Sequence, residues 1–368
     1  MSTKKSRNLG LDILRCIALF CVIAVHFFLN SGFYEATVAG YSMLIMVIMR
    51  NSFMICVPLF MMLTGYLINS QETNKLYYIK IIRIIYTYSI ASMICAFYRI
   101  YILRDGLSLL GSIANIFSFE TAPYSWYIEM YIGLFLLIPF LNTMYAGLCT
   151  QKKQILVVTL LLLTVLPSIM NSYCIAGFEW WLMPSKASNY FPVVPDWWKN
   201  IYPITYYFLG KYLQEFSTKL NPKRIALLTV FVFFFSGIYN YYRSYGSTFV
   251  KGPWQEYGSV LVTLQTVLIF CFFTKIKYTK HIYSFRNFFA TISDLSLGAY
   301  LTSWVFDQVV YTKLNASFCT IEQKLMWFPV VVTIVLIGSL LCSYFINLSY
   351  SVIFKKLISR DTNQISIK

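Results

Sequence analysis

Long apolar stretches alternate with short polar segments along the whole chain. A helix needs about 20 apolar residues to cross the hydrocarbon core of a bilayer. The pattern predicts about ten such helices, near residues 9–31, 41–68, 78–103, 125–147, 153–170, 200–216, 224–243, 255–274, 288–311 and 326–354. Several stretches carry Tyr, Asn or Pro, which is typical of helices that pack against one another. We therefore predict an all-α, polytopic helical bundle that forms a single membrane domain over residues 1–368, with no fused soluble domain.

Composition and charge agree with a membrane protein. The chain is 58% hydrophobic and 12% charged, with a mean hydropathy of +0.63, whereas a soluble domain carries about 25% charged residues. The net charge of +16 by itself would be compatible with binding to a nucleic acid. However, most Lys and Arg residues fall in alternate loops, which become cytoplasmic if the N-terminus is cytoplasmic. The sequence thus predicts a protein in the lipid bilayer with both termini cytoplasmic, and it argues against a nucleic-acid partner.

The first predicted helix carries two polar residues within its apolar run, Arg15 and His26. A charge at such depth costs roughly 2.5–3.5 kcal/mol on insertion scales, so it is usually retained for function or for pairing inside a bundle. A spacing of eleven residues at about 100° each places both on one stripe of a helix, roughly 16 Å apart along its axis. Asp12 lies three residues before Arg15 on the same stripe and is positioned to neutralise it. His26 is the best candidate for proton transfer near neutral pH.

A second group of candidates is the pair of cations Lys80 and Arg83. They are three residues apart, at the cytoplasmic start of the third predicted helix, and therefore share one helical face. Two cations on one face can bind phosphates. Ordinary positive-inside anchoring explains the same pattern, so both interpretations stay open.

A third group lies toward the predicted outer side of the membrane. Arg50 has no acidic residue near it in sequence and is therefore expected to pair across helices. Glu129 and Asp307 lie in other predicted helices at similar depth. Together with His26 they predict an outward-facing polar pocket, and the alternative is a set of structural ion pairs.

The longest predicted loop, residues 171–199, is rich in tryptophan and is predicted to be outside. Its aromatic rings suit either an interfacial belt, which we favour, or stacking on sugar rings. The cysteines form no metal-ligand spacing, so no metal is predicted. Cys174 and Cys319 both fall in outer loops, and the sequence leaves open whether they pair.

Several motifs, in order along the chain, resemble one family. Arg15, ten intervening residues and His26 resemble the RX10H signature of the acyltransferase-3 family of integral membrane proteins. VPLFMMLTGYLI at 57–68 resembles its VPLFFxxSGYLL stretch, and KIIR at 80–83 is similar to its RXXR motif.

Three further segments continue the resemblance. SWYIEMYIGLFLLIP, which begins at Ser125 and contains Trp126, resembles the family's WYLxxLIGLYLLxP stretch. YPITYYFLGKYL at 202–213 and ISDLSLGAYLTSWVFD at 292–307 resemble two later segments. Two positions depart from the pattern. Ser303 stands where the family often has a histidine, and Tyr124 and Ser125 precede Trp126 where another histidine is often found.

The resemblance implies a reaction and a division of roles. Family members move acyl groups, often acetyl, from a donor such as acetyl-CoA onto carbohydrates. Carried onto this chain, it implies that Arg15 and His26 are catalytic and that Lys80 and Arg83 bind the donor's phosphates. Candidate substrate-binding residues are Glu129, Arg50, Trp126 and Asp307.

The expected protein is thus a membrane O-acyltransferase, most simply an O-acetyltransferase, in the bacterial cytoplasmic membrane. Its expected partners are acyl-CoA as a donor substrate rather than a bound cofactor, a surface saccharide or its lipid-linked precursor, and polysaccharide-assembly proteins. The alternative function is a transporter or flippase for a lipid-linked saccharide, because intramembrane charges suit transport equally well. The acceptor sugar, the acyl chain, the side of the membrane on which transfer ends and the oligomeric state are not readable from the sequence.

Overall fold

The computed structural model describes residues 7–69, 71, 73–106, 108–173, 192–216 and 218–365. Within them the chain is helical apart from connecting segments and one isolated β-bridge, Thr37 with Thr248. The α-helices are α1 (Leu9–Asn30), α2 (Gly40–Phe53), α3 (Cys56–Leu67), α4 (Lys75–Tyr78), α5 (Ile81–Phe97), α6 (Leu109–Phe117), α7 (Trp126–Ala146), α8 (Thr150–Thr164), α9 (Pro167–Met170), α10 (Tyr202–Glu215), α11 (Pro222–Ser244), α12 (Val260–Lys275), α13 (Lys280–Ser284), α14 (Arg286–Ser317), α15 (Ile321–Met326) and α16 (Phe328–Ile365). A π-helix at Tyr98–Leu103 and 3-10 helices at Trp197–Ile201 and Pro253–Gln255 complete the set in the described residues.

The helices confirm the predicted helical membrane bundle. Within the described residues, 8 segments are long and apolar enough to cross a membrane. Two further predicted spans are also helical. One of them, α10, has only 14 residues, and the other, α14, has 32 residues but carries several polar ones. The count of ten spans, the cytoplasmic termini and the single domain stay predictions. Part of the tryptophan-rich loop lies outside the described residues, with Trp180, Trp181 and Cys174 in it.

The second predicted span is confirmed as one apolar stretch long enough to cross a membrane, Gly40–Leu67, and it consists of two helices. Helix α2 ends at Phe53 and α3 begins at Cys56. Pro58 has no N–H to donate to the carbonyl of Met54, so a continuous helix would lose a hydrogen bond at this point. The chain turns there, and the Met54 N–H donates to the Asn51 carbonyl at 3.4 Å instead.

The described chain packs as two compact units. The first contains the described parts of residues 1–69, 142–293 and 314–329, and the second those of 70–141, 294–313 and 330–368. Each unit has its own buried side chains, and each is described below by itself.

In the first unit, α3 and α10 cross at unusually short range through two glycines. A methyl group on Gly65 would lie 2.7 Å from the carbonyl carbon of Tyr207, and one on Gly210 would lie 2.8 Å from that of Met62. Small residues at a crossing let two helix backbones approach closely. Two of the motif segments, VPLFMMLTGYLI and YPITYYFLGKYL, therefore form one reciprocal contact.

The second unit is tied together by aromatic residues and small side chains. The Tyr77 ring stacks on Phe135 with centroids 4.6 Å apart, and its hydroxyl donates to the Phe135 carbonyl at 2.7 Å. A methyl group on Gly298 of α14 would lie 3.0 Å from Cβ of Ser343 on α16, so these two helices also pack closely.

Candidate functional site

Helix α1 holds both catalytic candidates, Arg15 and His26, on one uninterrupted helix. The side chain of Asn8 caps its N-terminus by accepting from the Gly10 N–H at 2.9 Å. Because α1 runs without a break to Asn30, the predicted shared stripe and the separation of roughly 16 Å hold for these two residues.

The expected neutralisation of Arg15 by Asp12 is wrong. Arg7 takes both oxygens of Asp12, with Nε–Oδ2 at 2.7 Å and Nη2–Oδ1 at 2.8 Å. Two parallel hydrogen bonds from a planar guanidinium are the strongest geometry for such a pair. Arg15 donates instead to the hydroxyl of Ser293 at 3.0 Å. Its charge therefore has a neutral partner and is not cancelled by the nearest acid.

His26 is buried, with 8% of its surface exposed. The two residues that follow it, Phe27 and Phe28, are fully buried and pack edge-on against each other. Both rings also contact Phe328 within the same unit. The imidazole of His26 is thus largely shielded from solvent, and the residues that follow it belong to the packed core of the first unit.

The sequence interpretation missed Gln265 on α12, a helix that packs against α1. Gln265 is fully buried, and neither its Oε1 nor its Nε2 makes a hydrogen bond to any described residue. A buried amide without partners costs about 1–3 kcal/mol, so its position needs an explanation. The sequence did contain a signal for Gln265, because a glutamine within a predicted apolar span is unusual.

Arg50 is buried, with 6% exposed, in the first unit. Its Nε donates to the Tyr34 hydroxyl at 3.1 Å, and its Nη1 donates to Oδ1 of Asn51 at 3.1 Å. The guanidinium lies 4.9 Å from the centre of the Phe249 ring. These partners lie on the helix of Arg50 itself (Asn51) and on connecting segments (Tyr34 and Phe249), so pairing of Arg50 across helices stays a prediction.

A cavity of about 300 Å³ opens beside Arg50, and its described lining lies within the first unit. The charged and aromatic lining side chains, with one amide, are Arg50, Asp196, Lys199, Tyr202, Gln255, Glu256 and Tyr257. Gln255 is 5% exposed, and its Oε1 makes no hydrogen bond to any described residue. The sequence missed this cavity because its walls come from segments that are far apart along the chain.

In the second unit, Asp307 is fully buried and accepts a hydrogen bond from the Tyr124 hydroxyl at 2.8 Å. The Tyr300 hydroxyl in turn donates to the Tyr124 carbonyl. Ser303, at the position where the family often has a histidine, is fully buried and donates to the Tyr300 carbonyl at 2.8 Å. Tyr124, at a position that departs from the family pattern, is thus a direct partner of a candidate residue.

The other two candidate substrate-binding residues of the second unit are Trp126 and Glu129. Both lie at the start of α7, and both are exposed. Trp126 contacts the Tyr127 ring edge-on, with centroids 6.3 Å apart. The predicted convergence of Glu129 and Asp307 with Arg50 and His26 stays a prediction.

Lys80 and Arg83 are exposed and lie where α5 begins, three residues apart as predicted. Lys80 lies 5.8 Å from the centre of the Tyr77 ring, and Arg83 lies 5.9 Å from that of Tyr350. No carboxylate pairs with either cation in the part of the chain that the structure describes. Both charges are therefore available to an anion.

The family assignment rests on a comparison that covers most of the chain. A family model described as an acyltransferase domain, that of acyltransferase 3, matches residues 8–348. Comparisons with curated proteins and with solved structures find no significant match. The match spans both units and includes every candidate residue. The family match and the apolar helices together show that the chain is a multi-pass membrane acyltransferase of the acyltransferase-3 family.

Proposed function

We propose that the protein is an O-acetyltransferase that moves an acetyl group from acetyl-CoA to a hydroxyl of a bacterial surface saccharide or of its lipid-linked precursor. The observation that carries the proposal is the buried His26 on the same unbroken helix as Arg15, with Asp12, the acid three residues before Arg15, bound by Arg7. A buried base suits the loss of a proton during acyl transfer, and a cation farther along the same helix suits an anionic donor.

His26 acts as the general base. It accepts the proton of the acceptor hydroxyl while the hydroxyl oxygen attacks the thioester carbonyl. The C–S bond then breaks, CoA leaves as a thiolate, and the thiolate takes up a proton to become the free thiol. Arg15 lies roughly 16 Å from His26 along the helix, so it binds an anionic part of the donor while the pantetheine arm carries the thioester to His26. In the other route that the residues allow, His26 carries the acetyl group transiently, which would give ping-pong kinetics.

Lys80 and Arg83 bind the phosphates of the donor. Both are exposed cations at one helix start, and no carboxylate competes for them among the described residues. An anionic donor meets them from the cytoplasm if the N-terminus is cytoplasmic, which is the orientation that the positive-inside rule favours. The protein would then lie in the bacterial cytoplasmic membrane and pass its product to polysaccharide-assembly proteins.

The test of the catalytic proposal is transfer of radiolabel from acetyl-CoA in proteoliposomes. The acceptor panel consists of lipopolysaccharide, capsular polysaccharide and peptidoglycan fragments. His26→Gln is expected to lower the rate at least 100-fold, because general base catalysis contributes about 10²–10⁴-fold. The chain supplies a matched control in His281→Gln, since His281 is the second of its 2 histidines and is exposed.

Two results would overturn the proposal. One is a well-folded His26→Gln protein that transfers acetyl at the normal rate. The other is movement of a lipid-linked saccharide across the bilayer without covalent labelling, which would favour the transporter.

The donor site is tested by comparing two donors in the same assay. Arg83→Gln should raise KM for acetyl-CoA about tenfold, which corresponds to about 1.4 kcal/mol, and leave KM for S-acetylpantetheine unchanged, because that donor lacks the nucleotide phosphates. Lys223→Gln removes an exposed cation from the start of α11 and serves as the control. An equal rise in KM for both donors would contradict phosphate binding by Arg83.

A further inference from the structure

The cavity beside Arg50 contains a buried polar group without a partner. Gln255 lines the cavity, is 5% exposed, and its Oε1 makes no hydrogen bond to any described residue. Leaving such a group unsatisfied costs about 1–3 kcal/mol. No described residue holds the amide oxygen in place, so the amide of Gln255 can turn to meet a ligand in the cavity.

The charges of the cavity narrow the class of ligand. The lining combines two cations, the buried Arg50 and Lys199, with the carboxylates of Asp196 and Glu256. The two cations and two carboxylates balance, so the cavity offers no net positive charge to attract a polyphosphate. Sugar hydroxyls each donate and accept a hydrogen bond, so they can satisfy cations, carboxylates and amides together.

The size and the aromatic content of the cavity agree with a sugar. Its volume of about 300 Å³ is at the low end of ligand pockets, which run to about 1,000 Å³. This volume suits one or two rings rather than a long polymer. Tyr202 and Tyr257 also line it, and tyrosine presents an apolar ring together with a polar hydroxyl.

We propose that the cavity beside Arg50 is a subsite for one sugar unit of the acceptor, and that the side-chain amide of Gln255 forms a hydrogen bond with a hydroxyl of that sugar. The proposal rests on the proposed function, because the bound sugar is an acceptor only if the protein transfers an acetyl group to it. It assigns to that function a specific cavity and a specificity-determining residue, Gln255, which lies apart in sequence from the catalytic pair.

The experiment is binding of the detergent-solubilised, full-length protein to an array of bacterial surface oligosaccharides. Wild type and His26→Gln are expected to bind the same subset of glycans. Gln255→Leu is expected to bind that subset at least tenfold more weakly. Gln154→Leu alters an exposed glutamine on α8 and is the matched control.

Thermal unfolding of the same variants separates a ligand contact from a structural one. Leucine removes an unsatisfied amide, so Gln255→Leu should be at least as stable as wild type. A variant that is less stable and binds glycans normally would overturn the proposal, as would a wild type that binds no glycan on the array.

The outcomes also separate this proposal from the proposed function. If no acetyl is transferred but Gln255→Leu alone loses glycan binding, the subsite stands and the reaction is wrong. If acetyl is transferred and Gln255→Leu leaves KM for the acceptor unchanged, the reaction stands and the subsite is wrong.

Discussion

Replacing Gly65 by alanine tests the closest helix crossing in the first unit. The added methyl carbon would lie 2.7 Å from the carbonyl carbon of Tyr207 and would overlap the carbonyl oxygen. The atoms it meets belong to the backbone of α10, so no side-chain rotation relieves the overlap. One of the two helices must shift, and the reciprocal contact of Gly210 with Met62 shifts with it.

The size of the effect follows from two opposing terms. Overpacking a tightly packed contact costs about 1–3 kcal/mol. Alanine in place of glycine within a helix returns about 1 kcal/mol of propensity where nothing obstructs the methyl group. Gly133 of α7 supplies that unobstructed case, because no atom lies within 4 Å of a methyl group built there. The propensity gain is common to both variants, so we expect Gly65→Ala to be less stable than Gly133→Ala by the overpacking cost, about 1–3 kcal/mol.

The assay is unfolding of the purified variants in mixed micelles as the fraction of SDS is raised. Wild type, Gly65→Ala and Gly133→Ala are compared under identical conditions. Equal stability of the two alanine variants would refute the reasoning, because the backbone overlap is the difference between them on which the expectation rests. Serine at position 65 should behave like alanine, since its Cβ meets the same atoms.

Two further substitutions test hydrogen bonds at the candidate residues. Tyr124→Phe removes a hydrogen-bond donor from the buried carboxylate of Asp307 and should lower the free energy of unfolding by about 1.5–3 kcal/mol. Tyr344→Phe, at an exposed position, should leave it unchanged. Equal SDS-unfolding curves for the two variants would contradict the role of this hydrogen bond. Asp12→Asn weakens the two-point contact with Arg7 and should cost about 1–2 kcal/mol, less than a fully buried pair because Arg7 is partly exposed. In a double-mutant cycle with Arg7→Gln, additive effects would show that the two side chains do not act as a pair.

The helices were predictable because apolar runs long enough to cross a bilayer have few alternatives to a helix. The break between α2 and α3 was readable in principle, since Pro58 lies within a predicted span. The close approach of α3 and α10 was not readable from spacing. Gly65 and Gly210 mark where a backbone can come close, but a single sequence does not show which helix arrives there.

The candidate site was predictable where it carries charge and not where it is neutral. Arg15, His26 and Arg50 stand out because placing such side chains in a bilayer is expensive. Their partners were harder to predict. Asp12 was expected to neutralise Arg15 from its position on the helix, but Arg7, which precedes the helix, reaches both carboxylate oxygens. Spacing along a helix shows which side chains can form an ion pair, whereas the hydrogen-bond geometry of the folded chain determines which of them do.

The same physical argument extends to the neutral amides that the sequence interpretation passed over. Gln255 and Gln265 are buried in the first unit, and each has amide atoms without a hydrogen bond to the described residues. An unsatisfied buried amide costs about 1–3 kcal/mol, comparable to a charge on insertion scales. A search that weighs neutral amides as heavily as charges would have found both. Gln255 leads to the cavity beside Arg50, and Gln265 lies on α12, which packs against the helix of His26. The unsatisfied amides thus accompany the charged candidates, which is the arrangement expected if both are retained for a substrate rather than for stability.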